Sequence, residues 1–354
     1  MKRIAIYCPY PHSEAPSQRF RFEQYLDFLK TEGYEIDIYP FLDAKNWRKI
    51  YGSGVLTKAI IMLTAWWNRC LSIRKAKKAD YVFIHREMAQ FGPPVFEWIL
   101  AKIYKKPFIY DFDDAIWLPN FSESNKRFHW VKWYGKVKHI IKWADQVVVG
   151  NDYLKAYSKQ YNDKVSIIPT TIDMVNHHNL ETDYTVTKPV IGWTGTHTTV
   201  YYLDALIPVF KKLEEEFDFE LQVISNQAPE FELKSLRFIP WKKETEIEDL
   251  VQFSIGIMPL HDDEWAKGKC GFKALQYMSL GIPSVISPVG VNPVIIQDGQ
   301  NGFLAEDQEA FYQKLKSLLQ DHLLRKEVGQ KGKETVLNRY SVEANKTNYL
   351  QLFQ

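Results

Sequence analysis

Two stretches of this sequence hold the residues best suited to chemistry: Asp111-Phe112-Asp113-Asp114, and Lys267 to Val285, which reads KGKCGFKALQYMSLGIPSV. In the second, a helix starting near Gly271 puts Lys273, Gln276 and Tyr277 three and four residues apart on one face. Phe272, Ala274, Leu275 and Met278 then cover the other side as core. Lys267, Lys269 and Lys273 crowd the start of that helix, where the dipole disfavours cations. The placement makes physical sense if an anion binds there; the plainer reading is a solvated basic loop. In the first stretch, three carboxylates follow an apolar run and are costly at a strand end unless something binds or bonds them. Metal binding, orientation of sugar hydroxyls, acid/base chemistry and capping of the next segment all remain open. No second acidic cluster of comparable strength lies at a strand end to complete a hard-cation site.

The elements that must position these residues alternate between strand and helix. Ile4 to Tyr7 reads as a first strand, followed by a proline-rich loop to Ser17, a helix through Phe22, Tyr25, Leu26 and Leu29, and a strand from Tyr34 to Tyr39. That strand, helix, strand order predicts a parallel sheet. Arg19 and Arg21 fall at the predicted helix start, in a loop where ligands of such sheets sit; surface ion pairing is the alternative. Further strands are expected at Tyr81–His85, Phe108–Tyr110, Val147–Val149 and Val165–Ile168, with a basic aromatic helix over Trp130–Trp143. Residues 120–128, NFSESNKRF, read as a mobile polar loop.

Thr170 to Lys188 lacks apolar periodicity and reads as an interdomain connection. A second series then begins, with strands at Pro189–Trp193, Phe219–Ile224, Leu236–Ile239, Ile255–Leu260 and Pro283–Ile286, followed by the apolar stretches Val291–Ile296 and Phe303-Leu304. Thr194-Gly195-Thr196 opens a small hydroxyl-rich turn where backbone amides could meet a phosphate. It lacks the full glycine pattern of a dinucleotide or P-loop site. Two amphipathic helices run from about Gln308 to Asn338.

A chain of 354 residues exceeds one core, so two domains are expected. The net charge of +2 gives no reason to expect nucleic acid. Three cysteines far apart, with no CxxC, point to a reducing compartment and to neither a disulfide framework nor a zinc site. The N-terminus has too short an apolar run for a signal peptide, and there is no spanning run, so the expected location is cytoplasmic. Residues 55–78 are unusual, with Ile60, Ile61, Leu63, Trp66 and Trp67 preceding Arg69, Arg74, Lys75, Lys77 and Lys78. That composition suits either a surface helix on the anionic inner face of the cell membrane or a buried helix with a solvated basic end.

In combination, GKCGFKALQYMSLGIPSV with SPVGVNPVIIQDGQNGFL, YDFDDAIW, IGWTGT and PSQRFRFEQYL resemble GT-B glycosyltransferases, and more narrowly the retaining family-four enzymes of bacterial surface polysaccharide assembly. The resemblance spans nearly the whole chain. It implies an α/β fold of two Rossmann-like domains facing across a cleft. The first, acceptor-binding, would be 1–170, with a linker at 171–188. The second, binding the nucleotide sugar, would be 189–339, and a terminal helix at 340–354 would return to the first. It further implies a metal-independent transfer of a sugar from a nucleotide-diphosphate donor, with no cofactor, to a sugar or lipid-linked sugar acceptor. In the implied mechanism the leaving phosphate assists deprotonation of the incoming hydroxyl, in a site closed against water.

Carried onto this sequence, Lys273 and Lys269 face the donor diphosphate, with Gly195, Thr196 and Arg19 around the same region. Asp113 and Asp114 face the transferred sugar or acceptor hydroxyl. Gln276 falls where a family glutamate meets the donor ribose, and Gly268 near the other family glutamate. With both glutamates absent, Asp263 and Glu264 are the substitutes for the sugar contact. Two other readings remain, a non-catalytic sugar-nucleotide-binding partner subunit and a GT-B-fold sugar-nucleotide epimerase.

Overall fold

The computed structural model describes residues 1–50, 52–119 and 129–354; the polar loop expected at 120–128 lies outside them. The chain divides into two compact units, Met1–Thr170 with Lys346–Gln354, and Thr171–Asn345.

The first unit is built on a six-stranded sheet in the order β2-β1-β3-β4-β5-β6. Its strands are β1 (Lys2–Cys8), β2 (Tyr34–Pro40), β3 (Tyr81–His85), β4 (Ile109–Phe112), β5 (Gln146–Val149) and β6 (Val165–Ile167). Every neighbouring pair is parallel. The central strands β1, β3, β4 and β5 are largely buried on both faces, as crossover helices require, while the edge strands β2 and β6 are half-buried. The chain leaves β1 for β2 on one side, then returns to β3 on the other. The loops after β1 and β3 therefore flank a topological switch point, the place where open parallel sheets bind ligands.

The helix expected after β1 is shorter and broken, as Pro16–Arg19, a 3₁₀ turn Glu23–Tyr25, and Leu26–Thr31. Likewise only Lys136–Trp143 of the expected 130–143 helix is α-helical, after a 3₁₀ turn His129–Lys132. From the chain's end, Tyr349 stacks on Tyr25 at 3.9 Å, and the Phe353 carbonyl accepts from the Tyr34 hydroxyl.

The second unit repeats the plan in the order β12-β11-β10-β7-β8-β9. Its strands are β7 (Val190–Thr194), β8 (Glu220–Ser225), β9 (Leu236–Pro240), β10 (Ile255–Met258), β11 (Ser284–Ile286) and β12 (Phe303–Leu304), again all parallel. Here the switch point lies between β7 and β10. Trp193, Phe210, Leu213, Leu221, Ile257 and Leu315 centre its core. Residues 171–188, expected as a connection, are hydrogen-bonded into this unit. Thr182 bonds to the Phe253 and Leu280 carbonyls, and Tyr184 to that of Gly281. Within the apolar stretch Val291–Ile296 the chain forms a short helix, Asn292–Ile295. Pro293 at its first turn and the Asn292 side-chain amide, bonded to the Ser287 carbonyl, fix it there.

Candidate active site

In the second unit the loops after β7 and β10 hold most of the residues singled out from the sequence. The helix Phe272–Ser279 follows the β10 loop and is seated by Tyr277. A Cβ on Gly256 of β10 would lie 2.4 Å from the Tyr277 ring, so glycine there lets the ring lie flat on the sheet. The Tyr277 hydroxyl donates to the Ile257 carbonyl at 3.3 Å and accepts from the Thr194 amide at 3.2 Å. The helix is thereby pinned to the end of β7. Tyr277 is fully buried, and not the exposed partner of Lys273 that helical spacing predicts.

This docking sets Lys273 in the first turn, its ammonium 5.1 Å from the centre of the Trp193 ring. Gly195 belongs to the same cluster, because a Cβ on it would meet the far edge of Trp193 at 2.4 Å and the Thr199 hydroxyl at 2.9 Å. The Gly195 amide is committed to the Ile224 carbonyl, and Thr196 shares a hydroxyl hydrogen bond with Thr198. The Gly195 amide, one of those expected to meet a phosphate, is thus spent on the sheet; what the turn supplies is close packing on Trp193.

Lys273 makes no ion pair or hydrogen bond with a carboxylate among the described residues. Burial, and after it the nearby Lys269, push its ammonium down to about 7. The side chain is half-buried, and the solvent it retains moderates the effect. Lys269 lies 5.8 Å from the centre of the Trp265 ring. The third lysine differs. Lys267 closes the preceding helix, Glu264–Lys267, and pairs with Glu264 at 3.0 Å and Asp262 at 3.6 Å. Glu264 is engaged by that pair, and Asp263 caps the helix through the Ala266 amide at 2.7 Å. Both groups offered as substitute sugar contacts therefore have local structural work.

Gln276 is 2% exposed, and its Nε2 has no hydrogen-bond partner among the described residues. A buried amide donor left unpaired costs about 1–3 kcal/mol. An uncompensated half-buried ammonium one helical turn away adds to that. Groups held at such expense mark binding sites more often than structural ones.

The first unit carries the carboxylates. Asp111 is not at the strand end but inside β4, wholly buried between Arg21 and His85. The Arg21 guanidinium donates to one Asp111 oxygen and to the Ile168 carbonyl, and His85 Nδ1 lies 2.7 Å from the other oxygen. Burial alone would raise the Asp111 carboxyl, but Arg21 and His85 outweigh it and hold it below the usual carboxylate range. Arg21 is thus a buried ion-pair partner, a role its loop position did not disclose. Arg19 lies in the last turn of the helix Pro16–Arg19, not at its start, and is buried with its guanidinium 5.0 Å from the centre of the Phe20 ring.

Asp113 and Asp114 are the carboxylates that reach the surface of the loop. One Arg86 guanidinium holds both, at 2.9 and 2.7 Å to Asp113 and in a further contact to Asp114. Arg86 has φ 59°, a left-handed conformation rare outside glycine. It is fixed there by the Arg86 amide donating to the Asp111 carbonyl and by the Tyr110 hydroxyl donating to the Arg86 carbonyl. Arg86, missed from sequence, could have been suspected as the basic residue immediately after β3. Among the described residues no group of three or more metal-type side chains gathers in one place.

Residues 188–321 match the model of the family glycosyl transferases group 1. A curated relative, N-acetyl-alpha-D-glucosaminyl L-malate synthase of Bacillus anthracis, is 25% identical over 159 residues, 42% of this chain. The match spans 40% of that relative's length. Among solved structures, sucrose-phosphate synthase from Thermosynechococcus elongatus superposes with a TM-score of 0.71 at 14% identity, over 100% of this chain and 98% of its own. Anabaena HepE, solved with UDP and glucose, gives 0.67 at 13% identity over 99% of both chains. A glycosyltransferase from Rickettsia africae gives 0.68 at 15% identity, over 99% of this chain and 98% of its own. The shared architecture is the GT-B fold of two α/β domains.

Proposed function

From its group 1 glycosyltransferase segment at 188–321 and its GT-B fold, we infer that this protein moves a sugar from a nucleotide-diphosphate donor to a hydroxyl acceptor. The reading extends to a retaining, metal-independent transfer in surface polysaccharide or glycolipid assembly, with a lipid-linked sugar as acceptor at a membrane the protein contacts peripherally. The observation that carries it is Lys273, a half-buried cation without a carboxylate partner, held over Trp193 at the β7/β10 switch point with Lys269 beside it. A diphosphate supplies the missing anion.

Charge building on the leaving diphosphate during transfer would be met by Lys273, Lys269 and the first-turn amides of the helix Phe272–Ser279, fixed in place beforehand by Tyr277. Gln276 offers its unpaired Nε2 to a ribose or sugar oxygen from the same helix. Asp113 and Asp114 are read as the acceptor-side carboxylates. One Arg86 guanidinium offsets part of their charge and holds both in place, which suits hydrogen-bonding to hydroxyls.

A thermal-shift screen over nucleotide sugars and nucleoside diphosphates tests the reading, since ligand binding raises apparent stability by mass action. One donor nucleotide should raise Tm, and Lys273→Met should remove most of the shift. A flat response across the panel would sink the reading. The absent family glutamates favour one alternative, a non-catalytic partner subunit, which would bind the nucleotide sugar without turning it over.

A further inference from the structure

The helix Val55–Ser72 has two apolar faces, and only one is used. Ile61, Ala65 and Arg69 point inward and are buried. Arg69 acts as the anchor, donating to the carbonyls of Met88, Tyr39 and Cys8 at 2.7, 2.8 and 3.2 Å. Trp66 packs beside them, its ring 4.7 Å from that of Phe96. The helix therefore cannot roll to hide its other side. On that side Leu56, Ile60, Leu63, Trp67 and Leu71 recur at steps of four, three, four and four, one continuous helical ridge. All five are at least half exposed, Leu56 at 78% and Trp67 at 67%. Isolated exposed leucines are ordinary, whereas a contiguous row marks an interaction surface.

The charge around the ridge identifies its partner. From Ala44 to Ala79 the sequence contains no Asp or Glu. Lys58, Arg74, Lys75, Lys77 and Lys78 are all exposed, and none has a carboxylate partner among the described residues. A second copy of this chain is a poor occupant, because a two-fold interface would set these cations against their own counterparts. Among the described residues no helix is long and apolar enough to cross a membrane. A convex apolar row flanked by unpaired cations has the chemistry of a helix lying in a lipid interface.

We propose that the outer face of the helix Val55–Ser72, with the basic turn Ile73–Lys78 that continues it, is a docking surface for an anionic lipid bilayer. Leu56, Ile60, Leu63, Trp67 and Leu71 enter the acyl boundary, and the lysines meet the phosphate headgroups. The surface assigns residues to the peripheral membrane contact named in the proposed function; it is argued from its own chemistry, and vesicle binding tests it separately from sugar transfer.

The test is co-sedimentation of the full chain with vesicles of phosphatidylcholine and phosphatidylglycerol, against phosphatidylcholine alone. Binding should be confined to the anionic vesicles and fall as salt rises. Replacing Lys75, Lys77 and Lys78 by Gln should weaken it about fivefold per cation, on the order of a hundredfold together. Leu63→Glu with Trp67→Glu should abolish it, with an unchanged thermal midpoint because both side chains are exposed. Cys70 is exposed beside the ridge while Cys8 and Cys270 are buried, so an environment-sensitive dye on Cys70 should shift to the blue on docking. Failure of the unmodified protein to bind anionic vesicles at low salt overturns the proposal. So does equal binding to phosphatidylcholine alone, or binding that survives both sets of substitutions. A dimer dissociated by Leu63→Glu, without vesicle binding, would assign the ridge to another chain instead.

Discussion

Replacing Lys273 by Met separates a ligand-binding cation from a structural one. The Met side chain keeps much of the length of the lysine stem and removes the charge held over Trp193. If Lys273 were half of a buried ion pair, losing it would strand the partner and cost about 3–5 kcal/mol. It has no such partner, and it is opposed by Lys269 and by burial. The variant should therefore fold with an unchanged or higher Tm. Nucleoside diphosphate binding should lose a charge-assisted contact, about 1.5–3 kcal/mol, or roughly tenfold to a hundredfold in Kd.

Proton linkage gives a second readout. In the free protein burial, and after it Lys269, push the Lys273 ammonium from an ordinary 10.5 down to about 7, moderated by the solvent the side chain retains. Between those values the unfolded chain holds the proton and the folded chain does not. Stability from this group therefore rises with pH across that window, and the Met variant lacks the rise. A bound diphosphate favours the charged form, so binding takes up a proton and weakens as pH climbs above neutrality. Calorimetric titrations in buffers of different ionisation enthalpy measure that uptake. Unchanged affinity in Lys273→Met, a large drop in its Tm, or binding without proton uptake would refute the reasoning.

Three further outcomes follow from the same contacts. Asp111→Asn leaves the buried Arg21 without its counter-charge and should cost about 3–5 kcal/mol by denaturant titration. In the native protein this carboxylate's contribution is present above its unfolded pKa and is lost as pH falls through its depressed folded value, so the two proteins should converge in acid. Gly195→Ala drives a methyl into Trp193 and should cost about 1–3 kcal/mol by the same titration, with weaker nucleotide binding than Tm alone explains. Gln276→Leu removes an unpaired buried donor and should leave Tm level or raised while calorimetry shows poorer nucleotide-sugar binding.

The sequence made the alternation of strands and helices legible because each buried strand is a short apolar run punctuated by Gly, Pro or a charged turn. Lys267 through Lys273 stood out because cations at a helix start contradict the dipole. Which of the three matters was only partly local. The pairing of Lys267 with Glu264 three residues earlier can be read from spacing. The isolation of Lys273 depends on Trp193, some eighty residues away. Tyr277 looked like a surface neighbour of Lys273 because helical spacing does not know that Gly256 leaves room for a ring. Asp111, Arg21 and His85 come from three separate strands and loops, so their pairing is a product of the sheet alone. Arg19 was misplaced because the expected helix begins earlier and ends sooner.

Release of nucleoside diphosphate from a panel of nucleotide sugars tests sugar transfer most directly. Slow release from one donor is expected, faster with a sugar or lipid-linked sugar acceptor and lost in Lys273→Met. No release from any donor, with or without acceptor, by a folded protein would contradict it.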